Sequence, residues 1–405
     1  VNAVEIAHRQ HGLRKRGIKL FQAVNDFHAK SQESQKRHSI ALVPLEFNAA
    51  PSFDIAQLDW SDAFVANAPD TTHVPPVSLA LCISGECLDR FGPILRHLVV
   101  GLVDHVARIR LISADPRTEA LALGPTQAVV HPFPRWPLTR RRIHHIAEAI
   151  ASPPPTVIHA MSGPSYQVGL ALADEFDADL VLQVTSLEDC AEVERFTEQQ
   201  VGRYLCFSEP LSRVLHQQLK LPEELIEIVR PGISAADRPV CFARNDRAPT
   251  IVCTAPFTKA AGVDRVIEAA HIIQKRGRRA MFFLLGQGPF ESALRRRARE
   301  LNVLSSVTFA HPGGDAFEVI SSADIFVHPS SSGCLYLDAL QAMGAGLAVV
   351  AVPDPAADFF HPGQTALVCE GGAVSNLADG IDDLLAERPL AQRLAAHAID
   401  HVRAQ

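Results

Sequence analysis

No uninterrupted apolar run in this 405-residue sequence approaches 18 residues, which excludes a hydrophobic spanning helix. A signal-peptide pattern is lacking too, and the chain opens on Val1 rather than Met, as a fragment or a processed product would. Excess positive charge is absent. The formal net charge of -7 argues against general nucleic-acid binding. There is no Cys-x-x-Cys pair among eight singly scattered cysteines, so a structural zinc site is not expected. Most of those cysteines lie in or beside apolar runs, where the thiol acts as a small hydrophobe, and a reducing cytoplasm is the simplest setting. No clustered His/Asp set stands out, so no metal is expected.

What remains is ordinary for a globular protein, with 47% hydrophobic and 20% charged residues. The length is too great for one ordinary core, so two domains of similar size are expected. Residues 1–76 read as an N-terminal extension and linker. Within it, Arg14, Lys15, Arg16 and Lys19 sit beside Ile18, Leu20, Phe21, Val24 and Phe27. Residues 13–27 thus form either a basic amphipathic helix that touches a membrane surface or a solvated helix packed on the body. From Val77 onward apolar strands alternate with helical stretches. Such strand–helix–strand repetition implies parallel sheets covered on both faces, an α/β architecture of two doubly wound units. The expected divisions are a first Rossmann-like domain over 77–234, a polar linker over 235–249 and a second such domain over 250–405.

Residues 323–351 organise the second half. Ile325, Phe326 and Val327 form a short apolar run suited to a buried strand. Pro329-Ser330-Ser331-Ser332-Gly333 is a turn-rich loop, and Leu337, Leu340 and Met343 then recur at helical spacing. Gly344 and Gly346 stop that helix before a second apolar run. A helix that opens behind a Ser/Gly loop presents free backbone N–H groups, a ready site for phosphate.

This stretch resembles the donor-binding signature of GT-B glycosyltransferases, family 4 in particular. Pro329, Ser330, Leu340, Ala342, Met343, Gly346, Val349 and Val350 fall in register with it. Gly262-Val263-Asp264, the Gly286-Gln287-Gly288-Pro289 turn and Pro231-Gly232-Ile233 add to the likeness in the right order. The resemblance implies a GT-B fold with a nucleotide-sugar donor (a UDP- or GDP-sugar) on the second domain and an acceptor on the first. It implies no bound metal or other cofactor. The implied reaction moves a sugar, with retention of configuration, to a glycan, lipid or small-molecule acceptor, as in polysaccharide biosynthesis.

Several polar positions of that signature are changed. The Glu that contacts the transferred sugar falls on Gly333, and the ribose-binding Glu falls on Gln341. The Arg and Lys that hold the diphosphate fall on Pro256 and Ala261, with Lys259 nearby as a substitute. The His of the first domain is matched by Thr185. Cys334-Leu335-Tyr336 replaces the usual glycine turn, which sets a bulky ring where close backbone approach is usual. The candidate donor-binding set is therefore Lys259, Gly286, Gly288, His328, Ser330, Ser331, Gly333, Cys334, Leu335 and Gln341, with Gly85 as an acceptor or phosphate loop.

Each candidate has a plainer reading beside the functional one. The plain alternative is that Gly85 ends a strand, Gly286 and Gly288 only form a turn, and the serines only cap the next helix. His159, inside a strand, reads as a core histidine. Two functions follow: a divergent glycosyltransferase, or a catalytically inactive GT-B-like protein that binds a glycan, a nucleotide or a partner enzyme. A sugar-nucleotide epimerase is a weaker third. The expected location is cytoplasmic, with peripheral contact at the inner membrane face through residues 13–27 as a variant.

Overall fold

A computed structural model describes residues 77–405 except 134–138, 245, 312–315, 336 and 372. The basic stretch 13–27 and Tyr336 lie outside the described residues. Strand β1 (Ser78–Ile83) is buried at every position and sits in the interior of the first sheet. An unbroken buried run of this kind fits a strand covered on both faces. Around it lie β2 (Arg108–Ser113), β3 (Thr126–Val130), β4 (Val157–Ala160), β5 (Asp179–Val184), β6 (Arg203–Cys206) and β7 (Ile226–Ile228). The order is β3-β2-β1-β4-β5-β6-β7, with every pairing parallel. The connections carry α1 (Gly85–Leu102), α2 (Thr139–Ile150), α3 (Gly163–Phe176), α4 (Leu187–Val193) and α5 (Glu209–Arg213).

The second sheet repeats the plan. Its strands are β8 (Thr250–Thr254), β9 (Met281–Leu285), β10 (Val307–Ala310), β11 (Ile325–His328), β12 (Ala348–Ala351) and β13 (Leu367–Val368). They lie in the order β10-β9-β8-β11-β12-β13, again all parallel. Between them run α6 (Val263–Lys275), α7 (Glu291–Glu300), α8 (Ala316–Ser321) and α9 (Leu337–Gly344), and α10 (Val374–Ala386) and α11 (Arg388–Ala404) close the chain. In α6 the buried residues Val263, Val266, Ile267, Ala270 and Ile273 form one stripe at helical spacing. Both sheets reverse their strand order between the first and fourth strands, β1/β4 and β8/β11. In open sheets of this kind ligands bind outside the carboxyl ends of the strands at that reversal.

Several elements differ from the sequence reading. Strand β7 pairs with β6 over Ile226–Ile228, with Val229 N–H still donating to Cys206 O at 2.8 Å, and Pro231 beyond it cannot donate to a ladder. Helix α5 is followed by a wider turn, closed by Leu219 N–H donating to Val214 O at 3.1 Å. Helices α4 and α8 were not read from the sequence, because seven and six residues are too short to show a helical period. The Asp177-Ala178-Asp179 triplet ends α3 and begins β5, at the opposite end of that strand from its carboxyl end.

The polar linker lies against the end of α9. Ala236 N–H donates to Gly344 O at 2.7 Å and Val240 N–H to Gly346 O at 3.0 Å. A Cβ on Gly344 would stand 2.4 Å from Ser234 O, so the linker's path requires glycine there. Buried Asp324 then anchors the start of the second sheet, accepting from Phe242 N at 2.7 Å and Thr250 N at 2.8 Å.

Candidate active site in the interdomain cleft

Among the described residues, the carboxyl ends of the two sheets face each other and touch at two places. In the first, residues 185–187 beyond β5 pair with residues 333–335 beyond β11. Leu187 N–H donates to Gly333 O at 2.8 Å and Leu335 N–H donates to Thr185 O at 3.1 Å, with Ser186 opposite Cys334 as an antiparallel bridge. Arg90 on α1 reaches across with Nη1 2.6 Å from Cys334 Sγ, and its Nη2 pairs with Glu86 at 3.2 Å. Burial lifts the Cys334 thiol to about 11, against the pull of Arg90, so the sulfur stays protonated at neutral pH. Leu335 is buried in an apolar cluster that joins Cys87, Phe91 and Met161 of the first unit to Phe326 and Leu340 of the second.

In the second contact, Ser208 Oγ donates to Ala356 O at 2.6 Å. Glu209 N–H donates to Asp358 Oδ2 at 3.0 Å, and Arg230 pairs with the same oxygen at 3.0 Å. Ala356 is itself buried in the first unit's core.

Gly333 therefore occupies a closed seam. Its φ is +70°, in the left-handed region that favours glycine. A Cβ there would stand 2.6 Å from Leu187 Cδ1. Thr185 is fully buried and committed locally. Its N–H and hydroxyl donate to Asp189 Oδ2 at 2.8 and 2.7 Å, while Gly163 N–H donates to Asp189 Oδ1 at 2.8 Å. Asp189 thus ties α3, α4 and the end of β5 together, a role the sequence reading did not assign.

The second unit's side of the cleft is built on α6. Gly262, at the N-cap with φ +70° and no side-chain cap, presses against the Pro329 loop, since a Cβ there would stand 2.7 Å from Pro329 O. Arg265, one turn into the helix and half-buried, points Nη1 to 3.5 Å from the same oxygen. It is the cation brought to the loop, and the sequence reading missed it because it lies outside the family's Arg/Lys register. The helical phase of Arg265 against Gly262 was the available signal. Lys259 sits exposed in the turn after β8. Buried Ser330 donates Oγ–H to Ser332 Oγ at 2.9 Å and accepts from Ser332 N–H at 3.2 Å, a tight serine turn, whereas Ser331 is exposed. Gln341 is half-buried on α9.

Two glycine positions have clear packing reasons. A Cβ on Gly286 would stand 2.0 Å from Ala255 O, and one on Gly288 2.6 Å from Phe257 O. Both let the turn after β9 lie flat on residues 255–257, where Phe257 N–H donates to Gln287 O at 2.9 Å. Gly85 opens α1 beside Asp115, whose Oδ2 would be 3.1 Å from a Cβ.

Buried His328, at the end of β11, has Nε2 3.7 Å from Oδ2 of buried Asp354 beyond β12. Asp338 on α9 adds a second carboxyl. Desolvation raises its pKa, against the Thr254 hydroxyl and the charge of His328. His159 is a core residue: burial lowers it to about 4, so it is neutral at physiological pH. Among the described residues no group of three or more His, Cys, Asp or Glu could hold a metal, and no helix is long and apolar enough to cross a membrane.

Two doubly wound parallel sheets whose carboxyl ends meet across a cleft define the GT-B class. Residues 241–401, which include most of the second unit, match the family described as glycosyl transferases group 1. Among similar proteins is the GDP-mannose-dependent alpha-(1-6)-phosphatidylinositol monomannoside mannosyltransferase of Mycobacterium tuberculosis. It is 28% identical over 205 residues, which is 45% of this chain and 53% of that protein. The D-inositol 3-phosphate glycosyltransferase of Stackebrandtia nassauensis is 33% identical over 111 residues, 26% of this chain and 24% of that one. The chain spans about half the length, or less, of the curated relatives it matches. Among solved structures, HepE of Anabaena in complex with UDP-glucose matches with a TM-score of 0.67 at 13% identity, covering 81% of this chain and 94% of that one. Sucrose-phosphate synthase from Thermosynechococcus elongatus matches at 0.63 and 17%, covering 81% and 94%. At such identities the structural likeness establishes the fold.

Proposed function

We propose that this protein is a glycosyltransferase that takes a hexosyl group from a nucleotide-sugar donor and passes it, with retention, to a hydroxyl of a glycan or lipid. The observation that carries this reading is the meeting of the uncapped α6 N-terminus, Arg265 and the Pro329–Ser332 loop at the β8/β11 reversal. Sugar transfer builds negative charge on the departing nucleoside diphosphate. Backbone N–H groups and a guanidinium already in place stabilise that charge without reorganising. In this role Arg265 replaces the signature's Arg/Lys pair, whose positions are Pro256 and Ala261 in this chain. Gln341 would hold the ribose hydroxyls as a neutral amide. GDP-mannose is the first donor to test, because mycobacterial relatives are named for its use. For the donor to enter, the pairing of 185–187 with 333–335 must open.

That pairing also favours a second reading, in which the chain binds a nucleotide or glycan without turnover. The backbone at Gly333 fills the place where a carboxylate would meet the transferred sugar. The deciding experiment is metal-free calorimetric titration with UDP, GDP, UDP-glucose and GDP-mannose, followed by radiolabelled transfer to a phosphatidylinositol acceptor. Saturable micromolar binding, weakened about tenfold or more by Arg265→Ala, is expected. Binding without transfer selects the second reading. A folded protein that binds none of the four at millimolar concentration refutes both as far as nucleotides are concerned.

A further inference from the structure

A cavity of about 330 Å³ lies on the seam between the units, beside the second interdomain contact. One wall is α5 and the turn after it, with Arg213, Val214, Gln217 and Gln218; the other is the loop beyond β12, with Asp354 and Pro355. The donor site is built from β8, β11 and α6, so the cavity has its own lining. Asp354 is buried on its inner side. Its Oδ1 accepts from Ala356 N–H at 2.9 Å, and its Oδ2 is shielded from solvent, 3.7 Å from His328 Nε2. Arg213, Gln217 and Gln218 are exposed on the outer wall, where their side chains are free to turn toward a guest.

We propose that this cavity holds one uncharged, hydroxyl-rich ring: a monosaccharide or cyclitol unit, free or at the end of a larger glycan. Its size is near the lower end of the roughly 300–1000 Å³ range of ligand pockets, which suits one ring and leaves little room for a nucleotide. Among the described residues its lining has no aromatic side chain on which a base would stack. The lining carries one guanidinium, Arg213, and one carboxyl, Asp354, so an anion gains no net charge there. The exposed amides of Gln217 and Gln218 and the Arg213 guanidinium donate to vicinal hydroxyls, and the amide oxygens accept from them. Val214 and Pro355 offer an apolar surface to the C–H face of a ring. Because the two walls belong to different units, occupancy favours the closed arrangement of the domains. The site requires neither a donor nor catalysis, so its fate is separable from that of the transferase reading.

The test is saturation-transfer NMR and calorimetry on the full chain without nucleotide. The probes are methyl α-D-mannopyranoside, methyl α-D-glucopyranoside, myo-inositol, an α-1,6-linked mannotriose and inorganic phosphate. Saturable millimolar binding of at least one ring is expected, weakened about tenfold by the double substitution Gln217→Ala and Gln218→Ala. Both positions are exposed, so the variant folds, and an unchanged melting temperature verifies that. Tighter binding of the triose than of the methyl mannoside assigns the site to a glycan end; equal binding assigns it to single rings. Absence of saturable ring binding overturns the proposal. So does ring binding indifferent to the double substitution, or phosphate binding that displaces the ring.

Discussion

Substituting Gly333 tests whether the two units meet at the seam through 185–187 and 333–335. Gly333→Ala carries two separable costs. A left-handed φ of +70° costs an L-residue about 1–2 kcal/mol. The new methyl would lie 2.6, 2.9 and 3.3 Å from the Cδ1, Cγ and Cβ of Leu187, and overpacking of this kind costs about 1–3 kcal/mol. The total is roughly 2–5 kcal/mol. Leu187→Ala clears Cγ and Cδ1, so in that background Gly333→Ala should retain little beyond the backbone cost. The coupling between the two substitutions is then about 1–3 kcal/mol in favour of the double variant. Urea unfolding of the four proteins, followed by circular dichroism and intrinsic fluorescence, measures it, and coincident transitions by the two probes justify the free energies. Additivity within about 0.5 kcal/mol would refute the seam, because residues that do not touch add.

Two further outcomes follow from named residues. Ser186 faces Cys334 at a position where neither exchanges backbone hydrogen bonds with the other, a geometry with Cα atoms about 4.5 Å apart and within disulfide range. Ser186→Cys should therefore form an intramolecular disulfide on mild oxidation, seen by mass spectrometry, and the locked protein should lose nucleotide binding that reductant restores; retained binding would show that the donor enters without the seam opening. His159 has a folded pKa of about 4, below its ordinary 6.5, so between those values the unfolded chain takes up a proton that the native chain refuses. Stability is whole above about pH 6.5 and falls toward pH 4 by roughly 3 kcal/mol in all. His159→Leu should flatten that part of the pH dependence relative to the parent in urea titrations between pH 4 and 7, and parallel curves would sink the assignment.

The fold was legible in the sequence because its signals are local. Each buried strand is written as a short apolar run, such as Leu79–Ile83 or Leu347–Val352, and α6 declares its buried stripe at Val263, Val266, Ile267 and Ala270. Glycines 344 and 346 marked the end of α9, although only the packed chain shows that the linker backbone is what excludes a side chain at Gly344. Short elements without a full period, α4 and α8, left no such trace.

The site was legible only as a pattern with gaps. Register with a family signature could say that Gly333, Gln341 and Thr185 replace its polar groups, and nothing more. That Arg265 reaches the Pro329 carbonyl depends on how α6 is turned against a loop 64 residues away. That Thr185 serves Asp189 depends on the short α4 turning back onto the end of β5, and that Gly333 is held by Leu187 depends on the two sheets meeting at their carboxyl ends. Periodicity and propensity act over a few residues and determine the elements. Contacts between distant segments are selected by the packing of whole units, and the tertiary structure alone decided which side chains share the cleft.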